Sequence, residues 1–184
     1  MNATATSPAC GQAARSGAGG AAVARRAAAG DRAALERMFA RCTVQTRYRR
    51  FHAPVTAIPA RYLTEALSGS LLHYALVAGP AAPASGIADI VALASCRLLA
   101  AGRAEVGLLV EDGWQRRGLG LRLLDDLVTH ASGTGVRVLE AQLLAEQSWI
   151  AGLLDRYGRC RLHSSQSGVV LVTVSLDGAS CDGR

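Results

Sequence analysis

The chain has 184 residues, a length that suits one domain with a single hydrophobic core. Half of the residues are apolar, and the formal net charge is +6, with all of the basic charge on arginine because the sequence contains no lysine. A P-loop is therefore excluded, since it requires a lysine. A membrane span is not expected either, because prolines and an aspartate interrupt the longest apolar stretch, around 71–94.

The ends of the chain and its cysteines indicate where the protein works. Residues 1–20 are rich in small residues and lack the features of a secretory signal, so we predict a disordered tail there, a domain over 21–176 and a second tail over 177–184. The five cysteines are scattered without CxxC pairs, and neither they nor the histidines have metal-ligand spacing. These features favour a cytoplasmic protein without a metal.

The first half of the domain shows one strongly amphipathic segment. Leu35, Met38, Phe39 and Cys42 follow helical spacing, and Asp31 stands where an N-cap is expected. In chain order we predict a strand at 22–26, a helix beginning at 30–31, an arginine-rich connection at 43–51, a helix at 59–67, strands at 71–78 and 87–98, and a loop at 79–86 between these strands.

The second half alternates strands and helices. We predict strands at 104–110 and 136–144, a helix from 119 to about 133, a helix at 147–157, and a closing hairpin of strands at 159–164 and 168–175. In the longest helix, Leu119, Leu123, Leu127 and Ala131 lie in one apolar row. The order of elements predicts an α/β fold, a mixed sheet with helices on both faces.

The turn at 115–120 combines two glycines and two arginines at the start of a helix. Free backbone N–H groups and the helix dipole favour an anion at such a position, and glycine lets a phosphate approach the backbone. The spacing differs from the dinucleotide-binding fingerprint, because Leu123 occupies the place of its third glycine. The basic excess can serve such a phosphate site. A nucleic-acid interface is disfavoured, since the arginines do not form a stripe with aromatic residues.

The segment Gln115-Arg116-Arg117-Gly118-Leu119-Gly120 resembles the coenzyme A-binding motif of the GNAT N-acetyltransferase superfamily, Gln/Arg-x-x-Gly-x-Gly/Ala after a strand. The acidic-aromatic segment at 111–114 and the order of elements are also similar to the family. The resemblance implies a GNAT-like mixed, mostly antiparallel sheet of about seven strands, flanked by about four helices. It also implies transfer of an acetyl group from acetyl-CoA directly to an amine of a small molecule or a protein. The expected protein is a monomer or homodimer without nucleic-acid or membrane partners.

The resemblance also assigns roles to residues. Glu105 is the expected catalytic base, and a strand glutamate paired with Arg97 or Arg103 is the structural alternative. Backbone N–H groups of Leu109 and Val110 would stabilise the oxyanion, and Arg47, Tyr48 and Phe51 would border the acceptor. The full set of expected cofactor-binding residues is Leu108, Leu109, Val110, Gln115, Arg116, Arg117, Gly118, Leu119, Gly120 and Gln147.

The chain departs from the family pattern near its next-to-last helix. Family members often carry an asparagine there and a tyrosine acid seven residues later, whereas this chain has Gln147 and Leu154. Tyr157 is nearby in sequence and is interpreted as a packing residue. These departures leave a second possibility open, a non-catalytic acyl-CoA-binding regulatory domain.

Overall fold

The computed structural model describes residues 22–81, 89–100, 102–164 and 168–176. Both predicted tails, and most of the predicted 79–86 loop, lie outside these ranges. The strands are β1 Ala22–Arg26, β2 His73–Pro80, β3 Ala92–Ala100, β4 Arg103–Val110, β5 Val138–Leu144, β6 Arg159–Ser164 and β7 Val169–Ser175. The α-helices are α1 Arg32–Arg41, α2 Val44–Phe51, α3 Ala60–Leu67, α4 Leu119–Gly133 and α5 Ile150–Leu154, and short 3-10 turns precede α1 and flank α5.

The strands form a single sheet in the order β1-β2-β3-β4-β5-β7-β6. Neighbours are antiparallel except β4 and β5, which run parallel and pair only where Arg103–Glu105 meets Val138–Glu140. The predicted fold class, an α/β fold with a mostly antiparallel seven-stranded sheet, is confirmed, with five described α-helices where about four were expected.

Apolar side chains cover both faces of this sheet. Helix α4 buries its predicted row of Leu119, Leu123, Leu127 and Ala131 on one face, and α1 and α3 pack on the other. Because side chains alternate along a strand, β4 contributes Val106 to the first core and Leu109 to the second. Strand β4 is therefore fixed from both sides, which makes it a rigid support for a site.

Helix α2 was not predicted; residues 43–51 were expected to be a connection. The side chain of Thr43 accepts a hydrogen bond from the N–H of Thr46 and caps the helix N-terminus, and His52 ends the helix in the left-handed conformation. The helix buries only Thr46 and carries three arginines, so it has no apolar stripe for periodicity to detect.

Further predictions needed correction, including the strand expected at 87–98, which is Ala92–Ala100 in the structure. The Asp31 side chain does not cap α1, because its carboxylate pairs with Arg25 and accepts the N–H of Ala28. Strand β2 starts at His73 and continues through Gly79 and Pro80, which the sequence placed in a loop. The predicted 147–157 helix is broken into the short α5 and flanking 3-10 turns.

Candidate active site

The parallel strands β4 and β5 separate beyond Glu105. From there β4 stays paired with β3, and β5 stays paired with β7, so the sheet opens between them. A cavity of about 1100 Å³ occupies this opening and extends between the start of α4 on one side and α2 and α3 on the other. The opening brings the strand, the glycine turn and the arginine-rich helix to one site.

The hydrogen bonds of β4 to β3 determine which of its backbone N–H groups point toward the opening. The N–H of Glu111 donates to the carbonyl of Val91 at 2.8 Å, and Leu109 lies opposite Leu93 in the same ladder. Because donors alternate along an antiparallel strand, Leu109 directs its N–H to β3, whereas Leu108 and Val110 direct theirs toward the opening. The N–H of Leu109, which was expected to stabilise an oxyanion, therefore points away from the cavity. The N–H of Leu108 points into it, together with that of Val110.

The turn before α4 has two residues in the left-handed region, Arg116 at φ 57° and Gly118 at φ 76°. Gly118 is the N-cap of α4, and a Cβ on it would meet nothing within 4 Å. The first N–H groups of α4 have no acceptor inside the helix, so they are available to an anion. A non-glycine residue in this conformation is strained by about 1 kcal/mol or more, and such strain concentrates at functional sites.

Gln115 ties this turn to the strand. Its side-chain amide donates to the carbonyl of Val110 at 2.9 Å and to the Thr46 hydroxyl at 3.1 Å. The predicted Gln115 is thus at the cavity wall, where it holds the end of β4, the turn and α2 together. This position adds a positioning role to the expected cofactor contact.

Gly120 lines the cavity and also lies close to strand β4. A Cβ on Gly120 would lie 3.2 Å from Cδ2 of Leu108, so glycine favours close packing of α4 on β4 in addition to the expected cofactor contact. The side chain of Leu119 is buried in the core, which leaves only its backbone N–H for a ligand. Arg117 lies over the Trp114 ring, 5.7 Å from its centroid, and does not line the cavity.

The two acidic residues of the turn attach it to α1 and α2. Glu111 pairs with Arg41 at 2.8 Å. Asp112 accepts hydrogen bonds from the N–H and hydroxyl of Thr43 and from the hydroxyl of Thr46, each at 2.8 Å. Burial opposes ionisation of Asp112, but these bonds outweigh it and lower its pKa. Both acids therefore have structural partners.

Glu105 lies at the cavity wall beside the point where the strands separate. Its Oε2 accepts a hydrogen bond from Nη2 of Arg97 at 2.6 Å, so the ion pair considered from the sequence exists with Arg97. Its Oε1 has no hydrogen-bond partner among the described residues. The carboxylate is thus held by one oxygen, while the other can accept a proton.

The side of the cavity next to α2 and α3 contains polar residues that the sequence did not single out. We use the term acceptor pocket for the part of the cavity lined by Arg50, His52, Tyr62, His73 and Ser95 together with Glu105. The Tyr62 and Ser95 hydroxyls are 3.0 Å apart and hydrogen-bonded. For Arg50, a usable sequence signal was Thr43 as an N-cap, since a helix over 44–51 puts Arg50 on the same face as Thr46. No such signal was present for Tyr62, His73 and Ser95.

His73 is buried without hydrogen-bond partners in the described part of the chain. The residue is 4% exposed, and neither ring nitrogen has a partner. Burial lowers its pKa; Glu65 acts in the opposite direction, and Arg97 and Arg50 add to the lowering. The ring is therefore neutral at pH 7, and its nitrogens remain under-satisfied at the pocket wall.

The three expected acceptor residues are not placed together. Arg47 donates to the carbonyls of Cys42 and Ala40 at the end of α1, and its guanidinium lies over Phe39. Neither Arg47 nor Tyr48 lines the cavity, whereas Phe51 does. In this helix it is Arg50, beside Phe51, that reaches the pocket.

The region of α5 shows what replaces the missing tyrosine. Gln147 lines the cavity, as expected of a cofactor contact, and Leu154 is buried at the family's tyrosine position. The Tyr157 hydroxyl donates to Asp125 at 2.6 Å, away from the cavity, and burial, followed by this hydrogen bond, raises its pKa. Tyr157 is thus a packing residue.

The described thiols are poor nucleophiles. Burial is the main cause that raises the pKa of Cys42, Cys96 and Cys160 to about 11 in each case, so little thiolate is present at neutral pH. No cluster of metal-ligating side chains occurs within 22–81, 89–100, 102–164 and 168–176. Across the same residues no helix has the length and apolarity needed to cross a bilayer.

Solved structures with this arrangement exist, although no protein-family model matches the sequence and no curated protein matches it. The GNAT domain of S. lividans PAT is 23% identical, with a TM-score of 0.71 over 84% of this chain and 90% of that domain. The chain has the GNAT fold. This finding confirms the resemblance read from 115–120 at the level of the fold.

Two further GNAT-fold neighbours are informative. A putative acetyltransferase from Salmonella typhimurium, solved with its cofactor acetyl-CoA, is 17% identical, with a TM-score of 0.63 over 89% of this chain and 99% of that one. A variant of the cAMP-binding acyltransferase from Mycobacterium smegmatis is 25% identical, with a TM-score of 0.54 over 88% of this chain. This GNAT-fold chain spans 46% of that protein, about half its length.

Proposed function

We propose that this GNAT-fold protein transfers the acetyl group of acetyl-CoA directly to a primary amine. The observation that carries the proposal is the separation of β4 from β5, which leaves the N–H groups of Leu108 and Val110 facing a cavity that also contains the α4 turn and Glu105. Donors fixed in this way are what a carbonyl oxygen needs when it gains negative charge.

The turn at 115–120 fits a pyrophosphate. Gly118 leaves open space at the start of α4, and the N–H groups of the first helical turn lack internal acceptors. Arg116 adds a guanidinium at the cavity wall. Charge-assisted hydrogen bonds at such sites contribute roughly 1.5–3 kcal/mol each. When bound, acetyl-CoA supplies the activated thioester; the protein supplies position and electrostatics.

Glu105 suits the role of proton acceptor. An alkylamine with a pKa near 10.4 costs roughly 4.6 kcal/mol to deprotonate at pH 7, so a base at the site accelerates attack. The free Oε1 of Glu105 takes the amine proton, directly or through a water molecule. The amine nitrogen forms a bond to the acetyl carbon, and the carbon–sulfur bond breaks.

A dedicated acid is not required for the leaving group. A thiol pKa near 8.5 means that protonation of the departing thiolate is worth only about 2 kcal/mol at pH 7. Leu154 at the family's tyrosine position is consistent with thiolate departure without a tyrosine. The same replacement also favours the second candidate, a non-catalytic acyl-CoA-binding domain.

Binding and turnover measured separately distinguish the two candidates. Calorimetry should show acetyl-CoA binding and much weaker binding of acetyl-pantetheine, which lacks the pyrophosphate. Arg116→Asn should weaken acetyl-CoA binding by about tenfold without loss of stability, because Asn tolerates the left-handed region. Arg37→Met, on the exposed surface of α1, is the control.

Thiol release over a panel of amines then tests catalysis. Amine-dependent release supports the transferase, whereas tight acetyl-CoA binding with no release for any amine supports the regulatory domain. Equal affinity for acetyl-CoA and acetyl-pantetheine contradicts the assignment of the phosphate site.

A further inference from the structure

Arg50 is held against strand β4 at the wall of the acceptor pocket. Its guanidinium carbon lies 5.0 Å from the ring centroid of Phe51 and 5.0 Å from that of Tyr62. A Cβ on Gly107 would stand 2.5 Å from Cζ of Arg50, so glycine at this strand position makes room for the guanidinium. The side chain is thus fixed by aromatic stacking and by the shape of the strand.

No acidic side chain pairs with Arg50 in the described part of the chain. Three other arginines of the cavity wall have glutamate partners, since Arg49 pairs with Glu146, Arg61 with Glu65 and Arg97 with Glu105. No described group accepts a hydrogen bond from the Arg50 guanidinium, which carries five N–H donors in a planar fork that matches a carboxylate. Arg50 therefore has donors in position for an anion from outside the chain.

The charge of the cavity wall favours an anion at this position. Five arginines line it (Arg49, Arg50, Arg61, Arg97 and Arg116), against two glutamates, Glu65 and Glu105, each already paired with an arginine. The two histidines of the acceptor pocket are neutral at pH 7, because burial lowers the pKa of His52 and of His73. Arg50 thus adds a positive charge that the pocket itself does not compensate.

The place of Arg50 relative to Glu105 defines the kind of acceptor. Glu105 and Gly107 are two residues apart on one face of β4, about 7 Å along the strand. An amine beside Glu105 therefore has the Arg50 guanidinium within reach of the same small molecule. We propose that Arg50 binds the carboxylate of the acceptor, so that the preferred acceptors are amino acids or short ω-amino acids, an inference that rests on the proposed acetyl transfer.

Matched acceptors test this subsite. The kcat/KM for 5-aminopentanoate should exceed that for 5-aminopentanamide, which has the same amine without the charge, by at least about tenfold. Arg50→Met should remove this preference by lowering kcat/KM for the carboxylate alone. Gly107→Ala should act in the same direction with Arg50 present, because the methyl group displaces the guanidinium. Arg37→Met and Gly133→Ala, an exposed arginine and a glycine with open space around it, are the controls.

A binding measurement separates this proposal from the proposed function. Calorimetry in the presence of coenzyme A should show the product N-acetyl-5-aminopentanoate binding at least about tenfold more tightly than its carboxamide, and Arg50→Met should abolish the difference. If this preference is present but no amine is acetylated, the carboxylate subsite stands and the transferase proposal fails. Equal binding of the two products to the unmodified protein, or equal and measurable turnover of 5-aminopentanoate and its carboxamide, overturns the role of Arg50.

Discussion

The two halves of the cavity are built in different ways. The cofactor half comes mainly from one continuous segment, in which β4 runs through a turn into α4 and presents backbone N–H groups. The acceptor half is assembled from side chains of five elements, with Arg50 on α2, Tyr62 on α3, His73 on β2, Ser95 on β3 and Glu105 on β4. Backbone chemistry in one segment tolerates sequence change, whereas a pocket of distant side chains can change its ligand with a few substitutions.

This contrast predicts that substitutions in the two halves of the cavity change different measured quantities. Substitutions in the turn should change affinity for acetyl-CoA, and substitutions in the acceptor pocket should change turnover or acceptor choice.

Glu105→Gln should have the largest effect on turnover. Loss of the base should lower kcat at pH 7 by at least about a hundredfold, with little change in acetyl-CoA affinity. The deficit should shrink as pH rises toward 10, because the free amine then needs no base. Steady-state kinetics across this range, with Glu36→Gln on the exposed face of α1 as the control, check the expectation. An unchanged rate at pH 7 would leave Glu105 with only its ion pair to Arg97.

Gly120→Val should damage both folding and cofactor binding. The added methyl groups meet Leu108, so the Leu108 side chain or α4 has to shift, at a cost of about 1–3 kcal/mol in the free energy of unfolding. Chemical denaturation measures this loss, and the thermal shift caused by acetyl-CoA should fall as well.

Gly113→Ala is the matched control for Gly120→Val, because a Cβ there meets nothing within 4 Å. Should Gly120→Val retain full stability while losing only the acetyl-CoA shift, the glycine would serve close approach of the pyrophosphate, as the sequence first suggested, and not helix packing.

His73→Phe should stabilise the protein, more at pH 5 than at pH 8. The native pKa of His73 lies below its unfolded value near 6.5, so the unfolded state binds more protons as pH falls and native stability is lost below about pH 6.5. Phenylalanine removes this penalty and two nitrogens that have no hydrogen bond within the described residues, which should add roughly 1 kcal/mol. Denaturation at both pH values is the measurement. Lower stability at pH 5 than in the parent protein would show that His73 has a partner there.

Tyr157→Phe should have the smallest effect. It removes a hydrogen bond to the partly exposed Asp125, so the free energy of unfolding should fall by about 1 kcal/mol or less while kcat stays the same. Parallel denaturation and kinetics check both parts. A large fall in kcat with intact folding would place the general acid at Tyr157 after all.

The sequence predicted best where apolar side chains repeat. The apolar rows of α1 and α4 came from periodicity, and the structure confirms them. The seven predicted strands also occur, with ends that differ by up to five residues, as at the start of β3. Helix α2 was missed because its stabilising contacts are polar: a Thr43 cap, and a Thr46 hydroxyl bonded to Asp112, 66 residues later. Periodicity does not detect contacts between residues so far apart in the chain.

The sequence by itself determined the α/β order of elements and the glycine–arginine turn, because both depend on residues that are close in the chain. Only the tertiary structure decided that β4 and β5 separate after Glu105, that the N–H of Leu108 and not that of Leu109 faces the opening, and that Gly120 lies against Leu108. It also brought Arg50 against Gly107, where no acidic side chain of the described ranges pairs with it. The direction of N–H groups along a strand, helix packing and ion pairing depend on residues that are neighbours in space. A single sequence does not reveal which residues those are.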